Sequence, residues 1–297
     1  MKSFKMVAAA ATVLMATGAL AQTTQPAAST AAMPAAASAA ATSSTSLSGT
    51  APAATRPWKV ELYHSTETAV TSVTKKEGIS TTVNYVGFKS KVLNGKSLGI
   101  RQLFMADYMS DDNKSDVRMG NTYIHLTDPK LFAMANGIEG TGIVRLYLPT
   151  GEDNRFVNKQ NGALRLYLIT AKSMGKWDFD MTLIGQAYSN SQDTFVDRTG
   201  ATKSNAEYYG YPSLNAGYNI SDTLSLGQSF GVENIWYRTK APIRSFNSTT
   251  TVSWKAMPQL TLNGNLSNDI NVANPKQDFA MGREEEMSLL FEAAVAL

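Results

Sequence analysis

Large apolar and polar side chains alternate along most of the chain after about residue 56. Successive side chains of a β-strand point to opposite faces, so a period of two predicts strands that are apolar on one side and polar on the other. The segment 177–188 shows this most clearly, because one face carries four large apolar residues: Trp177, Phe179, Met181 and Leu183. The fold class that this pattern predicts is all-β.

Twelve segments carry the alternation, and polar or turn-forming residues separate them. Short connections such as Asn94-Gly95 and Met174-Gly175 largely alternate with longer ones such as 149–161 and 189–205. Alternating short turns and long loops are typical of up-and-down antiparallel barrels of the bacterial outer membrane. The predicted strands are 58–71, 80–92, 97–109, 116–126, 141–148, 162–171, 177–188, 206–219, 223–237, 247–256, 259–268 and 286–297.

One connection departs from this rule, because residues 128–140 are on the short-turn side and yet form a long segment. Asp128 is a suitable N-cap, Pro129 suits the first helical position, and Gly137 suits the residue after a helix end. We therefore predict a short periplasmic helix over residues 130–136.

Alternation alone fits two architectures: a membrane barrel with its apolar face outward, or a water-soluble β-sandwich with that face inward. Aromatic residues near strand ends favour the barrel, as do polar faces made mostly of Ser, Thr, Asn, Gly and Tyr. The last residues, moreover, form a strand with no polar tail. We therefore predict a closed antiparallel transmembrane β-barrel of about 12 strands over residues 56–297. A periplasmic or secreted β-sandwich is the alternative.

The first residues predict export. Lys2 and Lys5 precede an apolar stretch, and Ala19-Leu20-Ala21 is a small-x-small cleavage site, so residues 1–21 have the pattern of a secretory signal peptide. The apolar stretch is about 15 residues, shorter than the roughly 20 that a membrane-spanning helix needs. Residues 22–55 are almost entirely Ala, Ser, Thr, Pro and Gln without charge, which predicts a disordered tether in the periplasm.

Composition excludes several kinds of site. The chain has no cysteine, so it forms neither disulfides nor thiolate metal sites, and with only two histidines we predict no metal and no cofactor. Without Lys2 and Lys5, 25 of the 27 basic residues remain against 24 acidic ones, a balance that argues against nucleic acid binding. The acidic segment 111–116 has oxygen ligands for calcium but lacks the Gly and distal Glu of an EF-hand loop, so we expect an ordinary solvated loop.

The signal peptide, the alternating strands, the alternating turn lengths and the final amphipathic strand together resemble the outer-membrane porin-like barrels of Gram-negative bacteria. The resemblance is architectural and covers residues 56–297. It implies insertion by the barrel assembly machinery, contact with outer-membrane lipid and lipopolysaccharide, and passive diffusion of small hydrophilic solutes through a narrow pore. A twelve-stranded barrel is intermediate between filled eight-stranded and open 16–18-stranded ones. The first alternative is therefore a non-conducting structural or surface-interaction barrel.

If the polar face lines the barrel interior, charged residues of several strands converge there. Arg145 and Arg165 are on adjacent predicted strands and should face each other, with Asp178 and Asp180 on the next strand. Arginines facing carboxylates resemble a porin constriction, although paired charges can also brace a filled interior. The predicted pore-lining residues are Arg101, Arg145, Arg165, Asp178, Asp180, Tyr147, Tyr167, Glu233 and Lys255.

The second alternative is an enzyme, because the porin-like class also includes an outer-membrane phospholipase. Such an enzyme needs a hydroxyl nucleophile within hydrogen-bond reach of a histidine. His64 and His125 are the only histidines, and each precedes by two residues a threonine on the same strand face, Thr66 and Thr127. Single histidines on strands are more often girdle or interior residues, so we predict no catalytic residue.

Overall fold

The computed structural model describes residues 57–69, 80–108, 115–197, 200–271 and 287–297. The predicted signal peptide, the predicted tether and residues 111–114 of the acidic loop lie outside these ranges. In the part of the chain that is described, no helix is long and apolar enough to cross a membrane.

Twelve of the described strands close into one antiparallel barrel, and two short strands pair separately as a ribbon. The ribbon strands are β8 (Thr194–Val196) and β9 (Thr202–Ser204). The barrel strands are β1 (Trp58–Ala69), β2 (Ser80–Lys91), β3 (Ser97–Tyr108), β4 (Ser115–Ala133), β5 (Glu139–Leu148), β6 (Gln160–Met174), β7 (Trp177–Asn190), β10 (Ala206–Asn219), β11 (Leu224–Tyr237), β12 (Ile243–Met257), β13 (Leu260–Asn271) and β14 (Met287–Ala296).

Pairing between the first and last barrel strands closes the sheet. Glu61 of β1 lies opposite Ala296 of β14, and the backbone N–H of Val60 donates to the carbonyl of Leu297 at 3.0 Å. Each of the twelve strands therefore has a hydrogen-bonded neighbour on both sides. A closed barrel satisfies backbone polar groups between its strands, which is what a membrane requires. The predicted closed barrel is confirmed, and the β-sandwich is excluded.

The alternation places the large apolar side chains on the outside of the barrel. Trp177 and Leu183 of β7 are 48% and 39% exposed, whereas Thr182 and Gln186 on the opposite face are buried. Every barrel strand contributes at least one exposed large apolar side chain. The resulting apolar belt is the outer surface of a membrane barrel.

Short and long connections lie at opposite ends of the barrel, which we call the turn end and the loop end. The turn end holds the connections β2–β3, β4–β5, β6–β7, β10–β11 and β12–β13, together with the start of β1 and the end of β14. At the loop end, a one-turn π-helix (Asp153–Val157) follows β5, and the β8–β9 ribbon follows β7. Neither was predicted, because segments this short carry no periodic signal.

The predicted helix over residues 130–136 is wrong. β4 continues as a strand to Ala133, and Phe132 lies opposite Gly140 of β5. The chain reverses at Gly137, whose φ is +81°. A register shift between Asp128 and Phe132 interrupts the ladder.

Packing across the hairpin explains why the helix does not form. A Cβ atom at Gly140 would lie 2.3 Å from Cε1 of Phe132, so the phenyl ring covers the glycine. A second contact of this kind lies beside it, because a Cβ at Gly142 would lie 3.2 Å from Cδ2 of Leu131. The helix-end residues are local signals, and the cross-strand contacts override them.

Candidate functional site

Arginine and tyrosine side chains cover one wall of the barrel interior. The alternation turns every second residue inward, and on strands β2 to β7 and β10 many of these positions hold an arginine or a tyrosine. We call this surface the arginine–tyrosine wall. Its members are Tyr85, Arg101, Tyr123, Arg145, Tyr147, Arg165, Tyr167 and Tyr209.

Arg101 of β3 is the arginine of this wall nearest to β1, and it forms an ion pair there. Its Nε and Nη2 atoms donate to Oε2 of Glu61 at 2.9 and 2.5 Å, and Nη1 donates to the hydroxyl of Tyr123 at 3.0 Å. The guanidinium carbon lies 4.5 Å from the ring centre of Tyr85. The guanidinium group of Arg101 therefore has a fixed orientation, because one carboxylate and two aromatic side chains hold it.

Arg145 and Arg165 lie directly opposite each other on β5 and β6, as the sequence predicts. Both donate to the hydroxyl of Tyr167, Arg145 at 2.7 Å and Arg165 at 3.2 Å. Arg165 also donates from Nε to Gln186 of β7. Within the described part of the chain, neither arginine forms an ion pair with a carboxylate.

Aromatic faces and hydroxyl groups therefore hold these two positive charges. The guanidinium of Arg145 lies 5.0 Å from the ring centre of Tyr123, and that of Arg165 lies 5.3 Å from the rings of Tyr147 and Tyr209. The electron-rich face of an aromatic ring attracts a cation without neutralising it. The wall consequently retains a net positive charge that faces the interior.

The opposite wall, on strands β11 to β14, is mostly amide and hydroxyl side chains. Its buried Glu292 accepts hydrogen bonds from the Tyr63 hydroxyl at 2.5 Å and from Asn265 at 2.9 Å. Asn263 and Asn265 also receive hydrogen bonds from Ser253 and Thr251 of β12. The two walls thus differ, because Arg101, Arg145 and Arg165 lie on one of them and the buried carboxylate of Glu292 lies on the other.

A cavity of about 480 Å³ lies between these walls at the turn end. Among the residues that the structure describes, five cationic ones line it against a single carboxylate, Glu61, which Lys59 and Arg101 both contact. His125 also lines the cavity. It is buried, and neither ring nitrogen has a hydrogen-bond partner in the described part of the chain. The cationic lining residues are Lys59, Lys89, Arg101, Arg145 and Lys255.

Comparison with solved structures gives the fold class a known counterpart. An outer-membrane channel from Pseudomonas putida F1 aligns with a TM-score of 0.55 at 15% identity, over 82% of this chain and 97% of the other. The barrel shares the fold of outer-membrane channels. The KdgM porin aligns with a TM-score of 0.45 at 9% identity, over 79% and 98% of the two chains. No family model matches the sequence, and no curated protein matches it either.

The other predicted pore-lining residues lie in different places. Tyr147 and Tyr167 belong to the arginine–tyrosine wall, and Lys255 lines the cavity. Glu233 is buried on β11, where it is hydrogen-bonded to Tyr209 of the wall. The pore-lining role of these residues stays a prediction.

Asp178 and Asp180 do not meet the arginines. Asp178 accepts hydrogen bonds from Ser173 at 2.5 Å and Asn219 at 2.6 Å, near the turn end of β7. Asp180 accepts from Asn215 and Thr182. Arg165 lies opposite Gln186, six residues further along β7 than Asp180, which is about 20 Å at the usual rise of a strand. The prediction that the aspartates lie on the strand next to Arg165 is correct. Their positions along that strand, however, keep them away from the arginine.

The two histidines face opposite sides of the barrel. His125 lies opposite Arg145 and points inward, whereas His64 shares the outer face of β1 with Leu62 and Thr66. Nδ1 of His64 lies 2.7 Å from Oδ1 of Asn84, and Nε2 lies 3.0 Å from Oγ1 of Thr66. Asn84 was missed, because only the register of β1 against β2 brings it opposite His64.

Proposed function

We propose that the protein is a narrow outer-membrane pore for the passive diffusion of small hydrophilic solutes, with a preference for anions. The cationic lining of the cavity supports this most directly, since five cationic side chains there face one carboxylate. Clefts with walls of one charge sign concentrate ions of the opposite sign. An anionic solute that enters the turn end therefore meets Lys59, Lys89 and Lys255 before Arg101 and Arg145.

The proposed orientation follows from the connections. In outer-membrane barrels the short turns face the periplasm and the long loops face outward. We place the turn end and the tether of residues 22–55 in the periplasm, and the β8–β9 ribbon outside among the lipopolysaccharide. The apolar belt then contacts outer-membrane lipid, and the barrel assembly machinery inserts the chain.

Single-channel recording of the refolded protein in a planar bilayer tests the pore. We expect steady openings and a zero-current potential in a KCl gradient that indicates chloride preference. A unit positive charge about 5 Å from a permeating ion contributes about 0.8 kcal/mol in water, which favours chloride and disfavours potassium. Removing one charge should therefore change the chloride-to-potassium permeability ratio by about 1.6 kcal/mol, or roughly 15-fold. The double variant Arg145→Ala, Arg165→Ala should lower this ratio by at least that factor.

A double variant with the same change in net charge serves as the control. Arg155 and Arg238 lie in loop-end connections and are exposed. Replacing both by alanine should leave the permeability ratio within about twofold of the original, because solution screens exposed charges. Potassium preference in the unmodified protein, or equal shifts in both double variants, contradicts the proposal.

The packing of the interior supports one other function, a non-conducting structural or surface-interaction barrel. Tyr147 and Arg165 are only 1% and 2% exposed, and two apolar clusters occupy the interior around them. Absence of any conductance from a correctly inserted barrel would favour this second candidate. The loop-end connections would then carry the function.

A further inference from the structure

Hydrogen bonds connect the side chains of Asn84, His64 and Thr66 in a row, with His64 in the middle. The Asn84 oxygen can only accept, so the tautomer of His64 that satisfies this contact carries its proton on Nδ1, which donates across 2.7 Å. Nε2 then accepts the proton of the Thr66 hydroxyl across 3.0 Å. A nucleophile within reach of a base, with the base oriented by a third group, is the geometry of nucleophilic catalysis.

The row lies on the outside of the barrel and faces the apolar belt. The flanking outer-face positions are Ala293 and Phe291 of β14, opposite His64 and Thr66 respectively. Phe291 is 58% exposed, and Val86 beyond Asn84 on β2 is 51% exposed. Acyl chains packed against these side chains would surround the Thr66 hydroxyl. A lipid-facing site should carry no charge, and an amide in the orienting position keeps the whole row neutral.

The position along β1 places the row at the outer rim of the belt. Trp58 marks the turn end, and Thr66 is eight residues further along the strand. At about 3.3 Å per residue and a tilt of about 40°, this corresponds to roughly 20 Å of height in a belt about 25 Å tall. Ester bonds of membrane lipids lie at the border between acyl chains and headgroups, which is the depth that this estimate gives.

Two other groups of polar side chains on the outer face form hydrogen bonds that only satisfy their donors and acceptors. On β11 and β12, Gln228 accepts from Thr250 at 2.7 Å and donates to Ser248 at 3.0 Å. On β3 and β4, Gln102 accepts from Thr122 and donates to the backbone. In both groups a glutamine oxygen accepts from a threonine hydroxyl, and neither group contains a base. The row at His64 differs because an imidazole accepts the hydroxyl proton.

We propose that Thr66, His64 and Asn84 form a hydrolytic site for carboxylic esters of membrane lipids. Thr66 Oγ1 bonds to the ester carbonyl carbon while His64 Nε2 takes its proton. The bond to the alcohol oxygen breaks, the lysolipid leaves with that proton, and the acyl group stays on Thr66. A water molecule then gives a proton to His64 Nε2 while its oxygen bonds to the acyl carbon. The bond between that carbon and Thr66 Oγ1 breaks, the fatty acid leaves, and the proton on His64 passes to Oγ1, which restores both side chains.

The backbone suggests that this hydrolase is slow. Thr66 is paired with Phe291 on one side and Thr82 on the other. Its backbone N–H therefore belongs to the sheet, whereas fast acyl-transfer enzymes direct such donors at the oxyanion. The activity should thus appear over hours of incubation in a membrane.

Fatty acid release from a reconstituted membrane tests the proposal. The full chain in vesicles of phosphatidylethanolamine and phosphatidylglycerol should release fatty acid above protein-free vesicles, as measured by mass spectrometry. Thr66→Val keeps the β-branched shape and removes the hydroxyl, and His64→Phe removes the base. Each should lower the rate by about 100-fold or more.

Two variants separate catalysis from a structural effect. Thr66→Ser keeps a hydroxyl and should retain release within about tenfold, with an acyl adduct on the peptide that contains residue 66. Thr250→Val removes a hydroxyl from the outer-face group without a base, and it should release fatty acid as the unmodified protein does. Equal release from Thr66→Val and the unmodified protein, or none above protein-free vesicles, overturns the proposal.

The proposed pore and the proposed hydrolytic site can be rejected independently of each other. Because His64 and Thr66 face outward, the Thr66→Val and His64→Phe variants should show unchanged single-channel conductance, which also confirms their insertion. Release that depends on Thr66 in a non-conducting barrel would remove the pore and keep the hydrolase. Conductance without fatty acid release would remove the hydrolytic site and keep the pore.

Discussion

The ion pair between Glu61 and Arg101 offers a direct test of how the barrel interior is stabilised. The Glu61 and Arg101 side chains are 9% and 14% exposed, and three donor atoms converge on the carboxylate, two from Arg101 and one from Lys59. Replacing Glu61 with alanine leaves the Arg101 guanidinium buried with one hydroxyl partner. Leaving one buried partner unpaired costs about 3–5 kcal/mol, and we expect a loss of that size in the free energy of unfolding.

Urea unfolding from lipid vesicles, followed by tryptophan fluorescence, measures this loss. The four tryptophans all lie on the outer face, 40–52% exposed, so their emission reports on contact with lipid. Lys59→Ala is the matched control, because Lys59 contacts the same carboxylate at 3.0 Å but is 46% exposed. An exposed partner contributes at most about 1 kcal/mol, and the control should lose no more than that.

A double variant separates the pair from the loss of side-chain volume. Glu61→Ala combined with Arg101→Ala should cost less than the sum of the single changes, by about 0.5–3 kcal/mol, because neither charge is then left alone. A loss below about 1 kcal/mol in Glu61→Ala, or strict additivity in the double variant, would refute the reasoning. The interior would then be hydrated enough to solvate Arg101.

Two further predictions concern the belt and the β4–β5 hairpin. Leu183→Arg places a charge in the middle of β7 on the apolar face and should destabilise the barrel in vesicles by about 2–4 kcal/mol. The same change measured in detergent, where the charge is solvated, should cost less. Gly140→Ala forces the Phe132 ring away and should cost about 1–3 kcal/mol. Glu139→Ala beside it should cost under about 0.5 kcal/mol, and equal losses at the two positions would show that the ring contact is unimportant.

The alternation that predicts strand positions is a local property of the chain. Ten of the twelve predicted barrel strands begin and end within about three residues of the observed ones. The exceptions are β4, which extends to Ala133 instead of ending near residue 126, and β12, which begins at Ile243 and not near residue 247. In β4, Pro129 and an apolar run obscure the alternation, and contacts with Gly140 and Gly142 decide the conformation. No pattern within β4 itself reports those contacts.

Contacts within the site were predictable from the sequence only between strands that follow each other directly along the chain. Arg145 and Arg165 are on consecutive strands, so their meeting could be foreseen from strand order. Asp178 and Asp180 are also on a consecutive strand, but the register places Asp180 about 20 Å and Asp178 about 26 Å from Arg165 along the strand. A shift of a few residues in register changes which side chains meet, and register depends on turn geometry and side-chain packing.

The sequence by itself determined the all-β class, the number of barrel strands, the outward apolar face and the inward position of the arginines, since each of these depends on a period of two. Only the tertiary structure decided the tyrosine partners of those arginines, the cationic cavity and the meeting of His64 with Asn84. These features depend on which residues of two paired strands stand opposite each other. Closure and register of the complete sheet set that pairing, and no segment read alone contains it.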